Sequence, residues 1–144
     1  MQAFPHHYHV SVKSGPDGPV VAGGDDVPDL DIQPPAEFGG PGGEWSPETL
    51  LTAAVANCFV LSFRAIAQAS RLDWTSLICE VEGVLDRPER VTQFTRFNLH
   101  ATLQIPTDAK LSLAHRLLVK AEQICLVTAS LNSEVVLTTD IEIV

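Results

Sequence analysis

The chain has 144 residues, 45% of them apolar and 6% aromatic, which suits one domain over 1–144 with a core built mainly from Leu, Val, Ile and Ala. Eighteen acidic side chains against nine basic ones leave a net charge of −9 and a pI near 4.8, which argues against nucleic acid or an anionic membrane face as partner. Three scattered cysteines are too few for a disulfide framework or a zinc site, and no cofactor is implied.

The start, Met1 to Val10, has no basic segment followed by a long apolar run, so a cytoplasmic protein without a secretory signal is expected. Tyr8, Val10 and Val12 alternate with His7, His9, Ser11 and Lys13, the pattern of a strand with one buried face. His7 and His9 share the other face and could touch a metal, but no third ligand is in view. Gly15-Pro16-Asp17-Gly18 signals a turn. Residues 19–44 hold most of the Gly and Pro and read as a loop-rich connector with short strands around Val20 and Leu30.

Ser46-Pro47-Glu48 opens a helix: Ser46 can cap it, Pro47 suits its first position, and Glu48 favours the positive end of its dipole. The helix should run to about Ser70. Fourteen of the eighteen residues from Leu50 to Ala67 are apolar, on every face, which predicts a central buried helix. Thr52, Asn57, Ser62 and Arg64 interrupt the run and make it a poor membrane span. One sheet can cover only one side of such a helix, so a second protomer is the expected cover for the rest, giving a homodimer.

Three further strands follow the period of two. Leu77, Cys79, Val81 and Leu85 face one way in the first, Phe97, Leu99, Ala101, Leu103 and Ile105 in the second, and Leu137, Thr139, Ile141 and Ile143 in the last. Before the last strand, a helix from about Asp108 to Cys125 carries the stripe Leu111, Ala114, Leu118, Ala121 and Cys125. The order predicts an α+β fold with helices packed on a largely antiparallel sheet.

Each cysteine has two readings from the residues alone. Cys58, three turns into the apolar helix, is a small core residue or a reactive thiol that needs a cation from another segment. Cys125 closes the stripe of the later helix and is core or chemistry by the same reasoning. Helices about 8 to 10 Å apart bring two such side chains within disulfide reach if their heights match. Cys79, on the inward face of a regular strand, reads as core.

The run from Pro35 through Gly39-Gly40-Pro41-Gly42-Gly43-Glu44-Trp45-Ser46-Pro47-Glu48-Thr49-Leu50 to Cys58-Phe59 resembles the signature of the OsmC/Ohr family. There a Gly-rich loop leads into a Pro-Glu-x-Leu helix start, with a Cys ten residues after the Glu. Lys120-Ala121 and the segment to Cys125-Leu126-Val127-Thr128 resembles the family's second motif, which carries the resolving Cys. The resemblance spans essentially the whole chain.

It implies an OsmC-like fold, an intertwined homodimer, and reduction of organic hydroperoxides, for some members also hydrogen peroxide. Cys58 would be the attacking thiolate, and Cys125 would close a Cys58–Cys125 disulfide. A dithiol reductant, lipoyl-linked in one branch, would reopen it. In the family an N-terminal Arg supplies positive charge and the motif Glu holds it. Glu48 keeps that place here, but no Arg precedes Arg64, and Lys13 is the only Lys or Arg in the first 63 residues. Lys13 is therefore the candidate cation, though an ammonium lacks the planar fork of a guanidinium. Arg64 shares a helix with Cys58 but lies on another face, and Arg87, Arg90 and Arg96 would reach a site only across a dimer. A second departure is Leu126, where the organic-hydroperoxide branch has Pro. The missing Arg leaves open a binding or redox-sensing module with slow turnover, and a third reading uses the thiol pair for other thiol–disulfide exchange.

Overall fold

A computed structural model describes residues 1–144, Ala109 through its backbone alone. The chain forms two compact units, Met1–Leu50 and Leu51–Val144.

The first unit is a three-stranded antiparallel sheet in the order β1 (Val10–Lys13), β2 (Val20–Gly24), β3 (Val27–Ile32). The strands expected around Val20 and Leu30 are present. Gly18, in the expected turn, takes a φ of 85°, the left-handed region that favours glycine. The reading of β1 as a strand with one buried face is corrected: all four residues are exposed. Its apolar Val10 and Val12 pair with Gly24 and Ala22, which offer almost no side chain to cover them. After β3 the Gly-rich segment folds back, with Ile32 bridging Trp45 and the Gln33 N–H donating to the Trp45 carbonyl at 2.9 Å.

That return delivers the chain to α1 (Pro47–Ala69), which begins in this unit and runs on into the second. Its start is capped reciprocally: the Thr49 N–H donates to the buried Ser46 hydroxyl oxygen at 3.1 Å, and the Ser46 N–H donates to the Thr49 hydroxyl oxygen at 2.8 Å. This is a capping box with Thr in place of Glu.

In the second unit β4 (Ser76–Asp86), β5 (Gln93–Ile105) and β6 (Glu134–Ile143) form one sheet in that order. β4 and β5 are antiparallel, whereas β5 and β6 are parallel. A parallel pair needs a crossover, which α2 (Leu111–Gln123) and α3 (Leu126–Ala129) supply. Phe97, Leu99, Ala101, Leu103 and Ile105 of the central strand are all buried. They form one core with Val55, Phe59, Phe63 and Ala67 of α1 and Ala114, Leu117, Leu118 and Ala121 of α2. Gly83 lets α1 approach β4: a Cβ there would lie 2.6 Å from the Thr52 hydroxyl oxygen and 3.0 Å from the Phe94 and Phe97 rings.

Within one chain, α1 buries a stripe at every fourth residue and leaves its other sides partly uncovered, Leu61 being 56% exposed. By length and composition α1 could cross a membrane, with a mean hydropathy of 1.8, yet its Val55-to-Ala67 stripe packs on the sheet of its own unit.

The later helix departs from the expected continuous run over Asp108 to Cys125. A 3-10 turn at Asp108–Lys110 precedes α2, and the chain breaks at Ile124 and Cys125 before α3 begins. Leu111, expected in the buried stripe, is 43% exposed, and Leu117, outside the expected stripe, is buried. A register shift between Val84 and Leu85 ends the regular alternation of β4, and Ile143 at the end of β6 is half exposed.

Candidate thiol site

Cys58 sits on α1 beside the buried Phe59 and is itself half-buried. Cys125 is buried and stands at the position before α3, with extended backbone at φ −63° and ψ 110°. That break in the helix is what forms the site. It turns the first N–H groups of α3 away from any carbonyl of α2, and the backbone of Val127 and Leu126 favours the charged form of Cys58.

Burial alone would push the Cys58 thiol up. The Val127 N–H, the Cys125 thiol, the Leu126 N–H and the Ser62 hydroxyl together outweigh burial and hold Cys58 below the usual thiol value. Cys125 moves the other way. Burial raises it; the N–H and hydroxyl of Thr128 pull it down. Its hydrogen bond to Cys58 and the charge there keep it above the usual value. Cys58 and Cys125 thus interact, and the interaction favours the charged form of Cys58 and disfavours that of Cys125.

Cys79, the third cysteine, lies half-buried on β4 against the core. Burial, with smaller contributions from Cys125 and Glu80, pushes it up to about 11, so it is protonated and unreactive near neutral pH.

The groups resolved as lowering Cys58 are two backbone N–H groups, a thiol and a hydroxyl, and no cation is among them. Lys13 lies exposed on β1. Glu48 lies in the first turn of α1, ten residues before Cys58 and roughly 15 Å along the axis. Arg64 is exposed on α1, and Arg96 pairs with Glu134 at 3.1 Å on β5. His7 and His9 are exposed, and among the described residues no group of three or more His, Cys, Asp or Glu side chains is placed to hold a metal ion.

The sequence gives Ser62, Val127 and Thr128 no role beside the thiols, and marks Leu126 only as a departure from the family's Pro. Ser62 follows Cys58 by four residues, a spacing that places two helical side chains on one face, so it was findable. The backbone of Leu126 and Val127 leaves no such signal, because no Gly or Pro marks the break before α3.

Cys58 of α1 and Cys125 before α3 thus lie in one α+β unit. A family model for OsmC-like proteins matches residues 40–140, from the Gly-rich loop into β6, and the chain belongs to that family. It is 28% identical to YmaD of Bacillus subtilis over 107 residues, 72% of this chain and 71% of that protein. An OsmC-like protein of unknown function from Vibrio cholerae superposes with a TM-score of 0.87 at 17% identity, over 94% of this chain and 100% of the other. An organic hydroperoxide resistance protein OsmC from Legionella pneumophila superposes at 0.75 with 25% identity, over 98% and 100%. An organic hydroperoxide resistance protein from Elizabethkingia anophelis does so at 0.78 with 16% identity, over 99% and 100%.

Proposed function

We propose that this protein is a thiol-dependent peroxidase that reduces organic hydroperoxides, with Cys58 as the attacking thiolate and Cys125 as the resolving thiol. The observation that carries the reading is the match of residues 40–140 to the OsmC-like family, a span that holds both Cys58 and Cys125, and the opposed shifts of the two thiols accord with it. A Cys58 thiolate attacks one peroxide oxygen, the O–O bond breaks, and the departing alkoxide takes a proton to leave as the alcohol. Cys58 becomes a sulfenic acid. Cys125 then attacks the Cys58 sulfur, the S–O bond breaks with loss of water, and the Cys58–Cys125 disulfide forms. A dithiol restores both thiols by exchange, being oxidised to its own disulfide.

From the resemblance we carry over Glu48 as the residue that orients a cation and Lys13 as that cation. We also carry over a cytoplasmic homodimer, which the uncovered side of α1 supports. The names of the Legionella and Elizabethkingia proteins support hydroperoxide as the substrate class.

The test is consumption of an organic hydroperoxide with dihydrolipoamide as reductant. Turnover should vanish in Cys58→Ser, stop after one equivalent in Cys125→Ser, and fall on the order of 10²-fold in Lys13→Ala. Absence of turnover in the wild-type protein would favour the second reading, a redox-sensing module. The specific observation behind that reading is the lack of any Arg before Arg64.

A further inference from the structure

The sheet of β4, β5 and β6 has a second face. The buried side chains of β5 point into the core, so Arg96, Asn98, His100, Thr102 and Gln104 point the other way. On that outer face two ion pairs tie β6 to β5. Arg96 reaches Glu134 at the start of β6, with Nε at 3.2 Å and Nη2 at 3.1 Å from one carboxylate oxygen. His100 reaches further along β6: its Nδ1 lies 2.8 Å from the Thr138 hydroxyl oxygen, and its Nε2 lies 3.1 Å from Asp140 Oδ2. The Thr138 hydroxyl donates its one hydrogen to the Leu99 carbonyl at 3.3 Å, so toward His100 its oxygen accepts. A carboxylate only accepts. Both ring nitrogens of His100 therefore donate, which is the hydrogen-bonding pattern of an imidazolium.

We propose that His100 is a pH-sensitive clamp, an imidazolium that fastens the C-terminal half of β6 to β5 and loosens as the ring gives up a proton. The charged groups that face it come from both neighbouring strands. Asp140 of β6 is its ion-pair partner, and Glu80 of β4 stands directly across from it in register. Glu82, one step along on β4, is engaged by Asn98 Nδ2 at 3.0 Å, and Arg96 on β5 itself is engaged by Glu134. Helices α1 and α2 pack on the opposite face of the sheet. The departing proton goes to solvent, and the neutral ring keeps one N–H. If that N–H stays on Asp140, the bond loses its charge, and Thr138 must release the Leu99 carbonyl to donate to Nδ1. If it stays on Thr138, a bare Nε2 faces the carboxylate. The tie is thus complete at low pH and weakens as the pH rises through the imidazole range, about pH 5 to 8. The Arg96 guanidinium keeps its charge throughout, so the start of β6 stays fastened. The His100 and Asp140 side chains are 40% and 67% exposed, which limits the effect to that of a surface pair.

Amide hydrogen exchange in the full-length protein reads this tie strand by strand. Exchange is followed by NMR at about pH 6 and about pH 8, either side of the middle of the imidazole range, and corrected for intrinsic rates. In the wild-type protein, protection of the β6 amides from Thr138 onward should fall about two- to five-fold at the higher pH, the size of one exposed ion pair. Amides beside Glu134 should keep their protection. Asp140→Asn and His100→Gln should each lower protection from Thr138 onward at the lower pH and remove its dependence on pH. Glu134→Gln should loosen the start of β6 and leave the pH response from Thr138 onward in place. Equal wild-type protection at the two pH values would overturn the proposal. So would a loss spread evenly along β6, or a pH response that survives in Asp140→Asn or His100→Gln.

Discussion

Oxidation should stabilise this protein by an amount the chain itself sets. The perturbation is one equivalent of an organic hydroperoxide, which should join Cys58 to Cys125 and close the chain between them. For a loop of that span, loss of unfolded-state entropy corresponds to about 4 kcal/mol. Strain in the closed bond would lower that figure. In a chain of this size each kcal/mol moves the thermal midpoint by about 2 to 4 °C, so oxidation should raise it by roughly 10 °C. The assay is calorimetry of reduced and oxidised protein at one concentration, since association would otherwise shift both midpoints. Cys79→Ser should show the full rise, and Cys58→Ser and Cys125→Ser none. A wild-type midpoint that stays put while two thiols disappear would refute the reasoning, as would a full rise in Cys125→Ser.

Leu126→Pro removes a backbone N–H that favours the charged form of Cys58, at a position that accepts proline, the first residue of α3 after an extended Cys125. The Cys58 pKa, followed by thiolate absorbance, should rise while the thermal midpoint stays nearly constant. Gly83→Ala places a methyl against the Thr52 hydroxyl and two aromatic rings, and should cost about 1 to 3 kcal/mol in urea unfolding. Because burial pushes Cys79 up to about 11, its alkylation should stay slow at pH 8 and accelerate about tenfold per pH unit until near that value; Cys58, below the usual thiol value, should react first, as peptide mass mapping would show.

The parts legible in the sequence are those whose signal is local. The period of two from Phe97 to Ile105 gave β5 its buried face because that strand lies at the centre of its sheet and under helices. Ser46 capped α1 as its position before Pro47 suggested. The parallel pairing of β5 with β6 was not legible, since alternation shows which face is buried and not which way a neighbour runs. Nor was the exposure of β1, which depends on Ala22 and Gly24 across the strand.

The site shows the same division. Read residue by residue, Cys58 and Cys125 could each have been core, and their roles came from resemblance to known motifs. What ends α2 before Cys125 is the break at Ile124 and Cys125, which no Gly or Pro marks. It follows from tertiary packing: Ala121 and Cys125 are both buried, while Ile124 between them is 45% exposed.

The pairing of Cys58 with Cys125 in peroxide reduction is tested most directly by treating reduced wild-type protein with one equivalent of organic hydroperoxide, measuring the alcohol formed, and mapping the bridge by mass spectrometry. The expected result is one equivalent of alcohol per chain, a loss of two hydrogens, and a single bridge between the peptides carrying Cys58 and Cys125, with Cys79 alkylatable after denaturation. A bridge that includes Cys79, or a Cys58 sulfinic acid with Cys125 still free, would contradict it.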